Sequence, residues 1–379
     1  MKSTSCIKHF TGCDKLPGHG TKGLMLFISH GFERCAVEHS LYVKKSDGDN
    51  IMIFCLYVDD LLVTGSSLSK IEEFKQMMEA EFEMTDLGKL SYFLGMEFSQ
   101  TTAGLLMHKK MYVKDLLERF KMVQCNDVKN PLEINAKLKL DEDKESVDGT
   151  AYKQLVGSLR FLCNSKPDLM FGVGLISRFM SNPKISHMAA AKRILRYVKG
   201  TADYGILFPY GTKEEELKLV GYTDSDFGGD QIERKSTSGN IYFINRAPIS
   251  WSSKKQTVIT LSSCETEYIA GCYAVCLGVW LNEVSKELKV QTDRPVELKM
   301  DNTSAISLAK NPVSHGRRRS KHIEVKYHFL RDMVNKGRFE LTHCRTDLQL
   351  ANMFTKALKL ERFEFLKKEI GVLTQSGLN

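Results

Sequence analysis

Tyr57-Val58-Asp59-Asp60 sets two adjacent carboxylates between two short apolar runs, and few backbones accommodate that pattern. Ile51-Met52-Ile53-Phe54-Cys55-Leu56 leads in, and Leu61-Leu62-Val63-Thr64-Gly65 leads out. Runs this short and rich in branched and aromatic residues, split by a polar pair, predict strand, tight turn, strand. Two negative charges side by side at a hairpin tip cost energy unless a cation lies near them. Oxygen-ligated Mg²⁺ answers that cost and is also what phosphoryl transfer needs. The plainer reading is a solvated turn, since Asp is common in turns; the apolar flanks weigh against it.

A chain of 379 residues has room for two or three domains with real cores. With 42% hydrophobic and 26% charged residues it has an ordinary globular composition. Its net charge of +8 suits a polyanionic partner. The longest apolar stretch, Ala270 to Leu281, is too short to span a bilayer, so no membrane partner is expected. Met1-Lys2-Ser3-Thr4-Ser5-Cys6 leads into no apolar segment, which argues against secretion. The ten cysteines form no CxxC pair; Cys272 and Cys276 share a helix face where free, buried thiols are expected, in a reducing compartment.

Residues 1–30 show no clear period. Ser40–Lys45 reads as a strand, Asp47-Gly48-Asp49-Asn50 as a turn, and Ile51 onward as the next strand. Ile71, Phe74, Met78 and Phe82 recur at helical spacing. Tyr92–Phe98, Thr101–Gly104 and Leu105–His108 suggest a second hairpin, and Met111–Phe120 a helix. The charged segment Asp141–Gly149 reads as a linker. Helices are expected over 152–164, 169–180 and 187–199, with breaks near Pro167 and at Ser181-Asn182-Pro183. Gly211–Glu216 is a second linker. Beyond it, strands are predicted at 217–226, 238–246, 248–253, 296–301 and 338–345. Helices are predicted at 262–288, 303–310 and 321–335, with a last helical region from 348. Three strands in meander, then strands alternating with helices, indicate a mixed sheet covered by helices.

Three acids occupy telling positions in that scheme. Asp224, in Gly221-Tyr222-Thr223-Asp224-Ser225-Asp226, ends a strand; Glu267 lies early in the long helix; Asp301 ends the strand Val296–Met300. Carboxylates at strand ends and a helix start can converge on one point, as two-metal hydrolysis of a phosphodiester requires. Each has a plainer use. Asp301 could cap the helix that opens at Asn302, and Glu265 or Glu267 could favour a helix N-terminal dipole. The ordered set favours a site, with Glu265 and Glu267 both eligible.

The chain resembles the Pol polyprotein of copia-type LTR retrotransposons, at the end of the reverse transcriptase and the ribonuclease H. The residues that carry the resemblance are Glu38-His39-Ser40-Leu41-Tyr42, Tyr57 to Gly65, Leu155-Val156-Gly157-Ser158-Leu159-Arg160 and Ser177 to Pro183. Arg234-Lys235-Ser236-Thr237-Ser238-Gly239, Ser250 to Gln256, Lys321-His322-Ile323 and Phe354-Thr355-Lys356 extend it. The match runs from about Gly31 to Leu358. It implies an α+β and α/β multidomain chain. Residues 31–140 would be a partial reverse-transcriptase palm, 141–210 a helical thumb or connection, and 217–372 a ribonuclease-H-like five-stranded mixed sheet with flanking helices; 1–30 would match poorly.

The resemblance also implies roles. Asp59 and Asp60 would hold Mg²⁺ for nucleotide addition; Asp224, Glu267 and Asp301 would be three of four ligands for two Mg²⁺ ions, with Mn²⁺ as the alternative ion. The partner would be an RNA–DNA hybrid or another nucleic-acid duplex, read through shape and backbone, with other Pol or capsid-type proteins alongside. The setting would be intracellular, in cytoplasmic virus-like particles or the nucleus. Arg193 and Arg196, on a helix with Lys192 and Lys199, and Arg317, Arg318, Lys321 and His322 are the candidate phosphate contacts. A solvated helix face and a surface charge run are the respective alternatives. His315 or His322 could serve as a helper histidine. Trp251 and Phe243 read as core, and Gly228-Gly229-Asp230 as a turn.

Two departures shape the functional expectation. The palm needs an upstream third carboxylate and fingers, and Asp14, in a breaker-rich segment, is a poor substitute; an incomplete, inactive polymerase is expected. Asn352, in Leu350-Ala351-Asn352-Met353-Phe354-Thr355-Lys356, stands where the family pattern has Asp. It keeps a neutral oxygen but loses charge that holds a hard cation, so a weakened enzyme, or a relic that only binds duplexes, is expected. An integrase-like transposase is disfavoured by the upstream hairpin and the lack of a His-His-Cys-Cys arrangement.

Overall fold

The computed structural model describes residues 7–12, 27–46, 50–82, 84–134, 138–211, 217–289, 294–310 and 328–378. The Asp47–Asn50 turn lies largely outside them, as do Asp14, His315, Arg317, Arg318, Lys321 and His322. The chain forms two compact units, one of residues 1–98, 210–217 and 279–293, the other of 99–209, 218–278 and 294–379.

In the first unit, strands β1 (Lys8–Gly12), β2 (Glu33–Arg34), β3 (Leu41–Ser46), β4 (Asn50–Tyr57), β5 (Asp60–Gly65) and β6 (Met84–Lys89) form one sheet. Its order is β2-β3-β4-β5-β1-β6, antiparallel throughout. Helix α1 (Leu68–Glu81) buries Ile71, Phe74 and Met78, the stripe its period predicts. These meet Phe27, Phe32, Tyr42 and Phe54, with Tyr42 stacked on Phe54 at 4.6 Å. β1 and β6 are not legible in the sequence. Of β1 only His9 and Phe10 are known to be buried, and its strand state depends on pairing with residues some fifty positions away, Phe10 with Leu61. The expected strand 92–98 is instead a hairpin of β7 (Tyr92–Phe93) and β8 (Met96–Gln100), with Leu94 and Gly95 at φ +49° and +77°.

The second unit holds the helices α2 (Lys110–Arg119), α3 (Gly149–Leu162), α4 (Met170–Ile176) and α5 (Ile185–Gly200), close to their expected bounds. The charged linker ends as an N-cap: Asp148 Oδ1 accepts from the Thr150 amide at 2.8 Å. Strands β9 (Gly104–His108) and β10 (Tyr204–Pro209) pair with each other, and β10 with β16 (Val372–Thr374). Neither β10 nor β16 was expected.

Strands β11 (Leu219–Ser225), β12 (Thr237–Ile244), β13 (Ala247–Lys255), β14 (Val296–Met300) and β15 (Phe339–His343) form the expected mixed five-stranded sheet. The order is β13-β12-β11-β14-β15, with β12 antiparallel and β14 parallel to the central β11, and β15 parallel to β14. Helix α6 (Ser263–Glu287) lies on one face, where Tyr242 donates to the Ala274 carbonyl at 2.7 Å. On the other face a 3₁₀ turn, Leu350–Phe354, lies so close that a Cβ at Gly239 would fall 2.6 Å from Phe354 Cβ. Helices α7 (Thr303–Lys310), α8 (Phe329–Asn335) and α9 (Leu360–Glu369) complete the unit; α8 is what is described of the helix expected over 321–335.

Two expected core residues behave as the sequence suggests. Phe243 is buried, and half-buried Trp251 sends its indole N–H to the Cys163 carbonyl at 2.9 Å. One expectation is corrected. Cys272 is buried but Cys276 is exposed, because residues four apart sit about 40° apart around a helix and the second falls past the buried stripe. The eight cysteines among the described residues are all free.

Candidate metal centre and the hairpin carboxylates

Asp224, Glu267 and Asp301 converge: each presents a carboxylate oxygen within 4.8 Å of the others. Asp224 comes from the end of β11, Glu267 from the second turn of α6, and Asp301 from the residue after β14. Parallel pairing of β14 with β11 brings their C-terminal ends to the same edge, which is why strand-end acids distant in sequence meet.

The plainer uses of these acids fall to their neighbours. Asn302, not Asp301, caps α7, its Oδ1 accepting from the Ala305 amide at 2.9 Å. Glu265 accepts from the Leu261 amide at 2.8 Å, and Ser262 Oγ accepts from the Glu265 amide at 3.2 Å. Glu265 therefore serves the helix start, and Glu267 points to the cluster.

The cluster is buried on two sides. Asp224 is 1% and Glu267 5% exposed, while Asp301 is partly open. Burial pushes the Asp224 carboxyl above its ordinary range, opposed by the Lys356 ammonium 3.4 Å away and a hydrogen bond from Thr355 Oγ1. Burial, then the charges of Asp224 and Asp301, hold Glu267 well above the usual carboxylate range. Glu267 Oε1 accepts from the Ser225 amide at 3.1 Å, but the buried Oε2 finds no partner among the described residues. Asp301 Oδ2 accepts from Thr346 Oγ1 at 3.1 Å. Three gathered carboxylates, one with an orphaned buried oxygen, make a donor set that fits a hard divalent cation.

Asn352 lies in the adjoining 3₁₀ turn, 3% exposed. Its Nδ2 donates to the Thr346 carbonyl at 3.1 Å, and its Oδ1 has no partner among the described residues. The same turn region supplies Thr355 and Lys356 to Asp224. Both residues belong to a stretch that carried the resemblance but had no assigned task.

A second layer escaped sequence reasoning. Gln256, 1% exposed, donates to Ser238 Oγ at 2.9 Å and the Thr266 carbonyl at 3.0 Å, with Ser225 Oγ at 3.2 Å, and accepts from Thr266 Oγ1 at 3.1 Å. It ties β11, β12 and the start of α6 at the residues that flank Asp224 and Glu267. Its signals were a polar residue closing a strand and its place at the end of a stretch that carried the resemblance. Asp226, whose carboxyl burial pushes to about 6 against the Thr237 amide and the Arg178 charge, sits beside the cluster.

The hairpin acids belong to the first unit. Tyr57 pairs with Asp60 across a two-residue turn of Val58 and Asp59, with Val58 at φ +53°, a region β-branched residues rarely enter. Asp59 is exposed, and Asp60 Oδ1 lies 3.2 Å from Nε2 of buried His9 on β1. Among the described residues no third carboxylate gathers with Asp59 and Asp60. Of the basic candidates, Arg193 is held by Glu133 at 3.0 Å and Lys199 by the Cys125 carbonyl at 2.5 Å. Arg196 lies partly buried on the same helix. No helix among the described residues is long and apolar enough to cross a membrane.

Residues 21–134 match the reverse transcriptase (RNA-dependent DNA polymerase) family. The chain is 36% identical over 345 residues to the retrovirus-related Pol polyprotein from transposon RE1 of Arabidopsis thaliana, covering 91% of this chain and 23% of that protein. It is 32% identical over 248 residues to the putative transposon Ty5-1 protein of Saccharomyces cerevisiae, covering 65% of this chain and 79% of that one. A solved RNase H1 in complex with RNA/DNA hybrid aligns with 36% of this chain and 94% of its own length, at 14% identity and a TM-score of 0.27. The chain spans about a quarter of the length of the curated Pol polyproteins it matches. It belongs to the copia-type retrotransposon Pol family, with its residues 21–134 matching the reverse transcriptase.

Proposed function

We propose that the Asp224–Glu267–Asp301 cluster is a ribonuclease H site that hydrolyses the RNA strand of RNA–DNA hybrids, using two Mg²⁺ ions or Mn²⁺ in their place. The observation that carries this reading is the meeting of three carboxylates within 4.8 Å, one buried oxygen among them unpartnered. Bound divalent cations would supply a lowered pKa for water and charge neutralisation at the phosphodiester. The chain's own part is positional. Thr355 and Lys356 hold Asp224, the Ser225 amide holds Glu267, and Thr346 holds Asp301, so the ligand oxygens are gathered before any ion arrives. Lys356 screens the carboxylates when no cation is present, and its ammonium can turn to a phosphate oxygen when one is.

Asn352 is the specific observation that favours a weakened enzyme, with duplex binding alone as the second reading. Its neutral Oδ1 replaces a charge, and carboxylate count is a main determinant of affinity for hard cations. At the hairpin, Asp60 has a histidine for a neighbour, and no third acid gathers there among the described residues. We assign Asp59 and Asp60 no polymerase activity in this chain. The intracellular setting and company of other Pol products are part of the same proposal.

The test uses the whole chain with a labelled RNA–DNA hybrid and Mg²⁺, and Mn²⁺ titration by calorimetry as a readout independent of turnover. Asn352→Asp should raise both cleavage and Mn²⁺ affinity by about tenfold or more, and Asp224→Asn should abolish both. Cleavage only after Asn352→Asp supports the relic. Cleavage that survives Asp224→Asn shows the site to be misassigned.

A further inference from the structure

Ser177 to Pro183 carries part of the family resemblance but takes no part in the proposed hydrolysis. Arg178 lies there, in a 3₁₀ turn, Ser177–Phe179, that continues α4 and precedes every strand of the five-stranded sheet. Its side chain is only 14% exposed and acts as a fork. Nη1 lies 3.3 Å from Oδ2 of Asp230, itself 4% exposed, and Nη2 donates to Thr237 Oγ1 at 3.0 Å. A planar guanidinium serves two diverging acceptors at once, where an ammonium on a flexible stem serves as a point charge. Thr237 Oγ1 has no second partner among the described residues.

Both acceptors lead back to the carboxylate cluster. Thr237, 2% exposed, opens β12. Its carbonyl accepts from the Asp226 amide at 3.2 Å and from Ser225 Oγ at 3.1 Å, and its amide donates to Asp226 Oδ1. Ser225 and Asp226 directly follow Asp224, and the Ser225 amide is the donor that holds Glu267. Asp230 ties the loop between β11 and β12. Its Oδ1 accepts from the Ile232 amide at 2.9 Å and the Glu233 amide at 3.3 Å, and its carbonyl accepts from the Arg234 amide at 2.8 Å. Arg178 thus joins this loop to the first residue of β12, where pairing with β11 fixes the backbone next to Asp224. It makes no hydrogen bond or ion pair to Asp224, Glu267 or Asp301 themselves.

We propose that Arg178 is a positioning residue of the metal centre: from the helical segment it holds Thr237, and through Thr237 the Ser225–Asp226 backbone that presents Asp224 and Glu267. The assignment rests on the nuclease reading for what the cluster does. Its sign separates it from a simple charge effect. A guanidinium near gathered carboxylates opposes a bound cation, so by Coulomb's law alone its removal would tighten metal binding. A positioning role predicts the reverse, because a ligand set that is no longer held in place binds its ion more weakly.

The test measures Mn²⁺ affinity of the whole chain by calorimetry, in wild type and in the Asn352→Asp background, with urea unfolding to confirm that each variant is folded. Arg178→Gln should bind Mn²⁺ about tenfold more weakly, the low end of what is lost when a group that orients metal ligands is removed. Lys255 stays 3.1 Å from Asp230 Oδ2 in that variant, so the buried carboxylate keeps a cation and the loop its anchor. Thr237→Val, which keeps the shape and deletes the hydroxyl, should reproduce the loss, and Thr237→Ser should keep wild-type affinity. The double variant Arg178→Gln, Thr237→Val should lose no more than either single one, because both remove the same interaction. Affinity that is unchanged or higher in Arg178→Gln, or retained in Thr237→Val, while Asp224→Asn abolishes binding, overturns the positioning role and leaves the nuclease reading standing. Additive losses in the double variant overturn it as well. Failure of both wild type and Asn352→Asp to bind Mn²⁺ removes the nuclease reading, and the positioning role with it.

Discussion

Replacing Gln256 by Leu keeps the side chain's approximate size and deletes its amide. Two N–H donors, shared among Ser225 Oγ, Ser238 Oγ and the Thr266 carbonyl, would be lost, with one accepted bond from Thr266 Oγ1. Each buried bond contributes about 1 kcal/mol net, so the direct loss is about 3 kcal/mol. Ser225 Oγ keeps the Thr237 carbonyl as a partner at 3.1 Å, which limits the cost on that side. Ser238 is 2% exposed and has no substitute donor to turn to among the described residues. For a unit of this size the change corresponds to a melting point roughly 6–12 °C lower. The effect should also reach the metal site, because Thr266 adjoins Glu267 and Ser225 adjoins Asp224. Urea unfolding followed by circular dichroism measures the first consequence, and Mn²⁺ titration of the folded variant the second. Gln256→Leu within 0.5 kcal/mol of wild type, with Mn²⁺ affinity retained, would refute the claim that this amide holds the two carboxylate-bearing elements together.

Gly239→Ala should destabilise by about 1–3 kcal/mol, because its Cβ meets Phe354 and Thr355; Mn²⁺ affinity should fall as the turn bearing Asn352 shifts, both read by the same two assays. Asp224 and Glu267 have folded pKa values raised by burial, so the metal-free folded state binds more protons than the unfolded chain. Its stability should fall as pH rises from about 4 through the folded pKa values, and Glu267→Gln or added Mn²⁺ should flatten that decline in pH-dependent urea melts. Lys166 is 1% exposed, and burial pushes its ammonium down to about 8, against 10.5 unfolded. The folded state then binds fewer protons, so stability should rise between pH 8 and 10.5, by up to about 3 kcal/mol. That rise should vanish in Lys166→Met.

Local pattern made much of this protein legible. The apolar runs around Asp59-Asp60 are β4 and β5, the 3.6-residue stripe of Ile71, Phe74 and Met78 is the buried face of α1, and the strands 219–225, 237–244 and 296–300 lie within a residue or two of where the sequence predicts them. These elements are readable because the burial that stabilises each is encoded by neighbours a few positions apart. The motif residues Asp224, Glu267 and Asp301 were recognisable for the same reason, each at a predictable strand end or helix start.

Long-range pairing decided the rest. β1 is a strand only because β5 and β6 supply hydrogen-bond partners on both sides, and it brings His9 to Asp60. The sequence pointed to Glu267 as the ligand but left Glu265 eligible. Which one faces the acids follows from the helix start, where Glu265 is occupied by the Leu261 amide. The meeting of Arg178, Asp230, Thr237 and Lys255 depends on how helices and sheet pack, a term that sums contacts between residues tens of positions apart. Sequence by itself thus specified which groups can carry chemistry and on what local elements they ride. Their assembly waited on the tertiary fold, because distances between carboxylates, and the burial that raises their proton affinity, belong to no single segment.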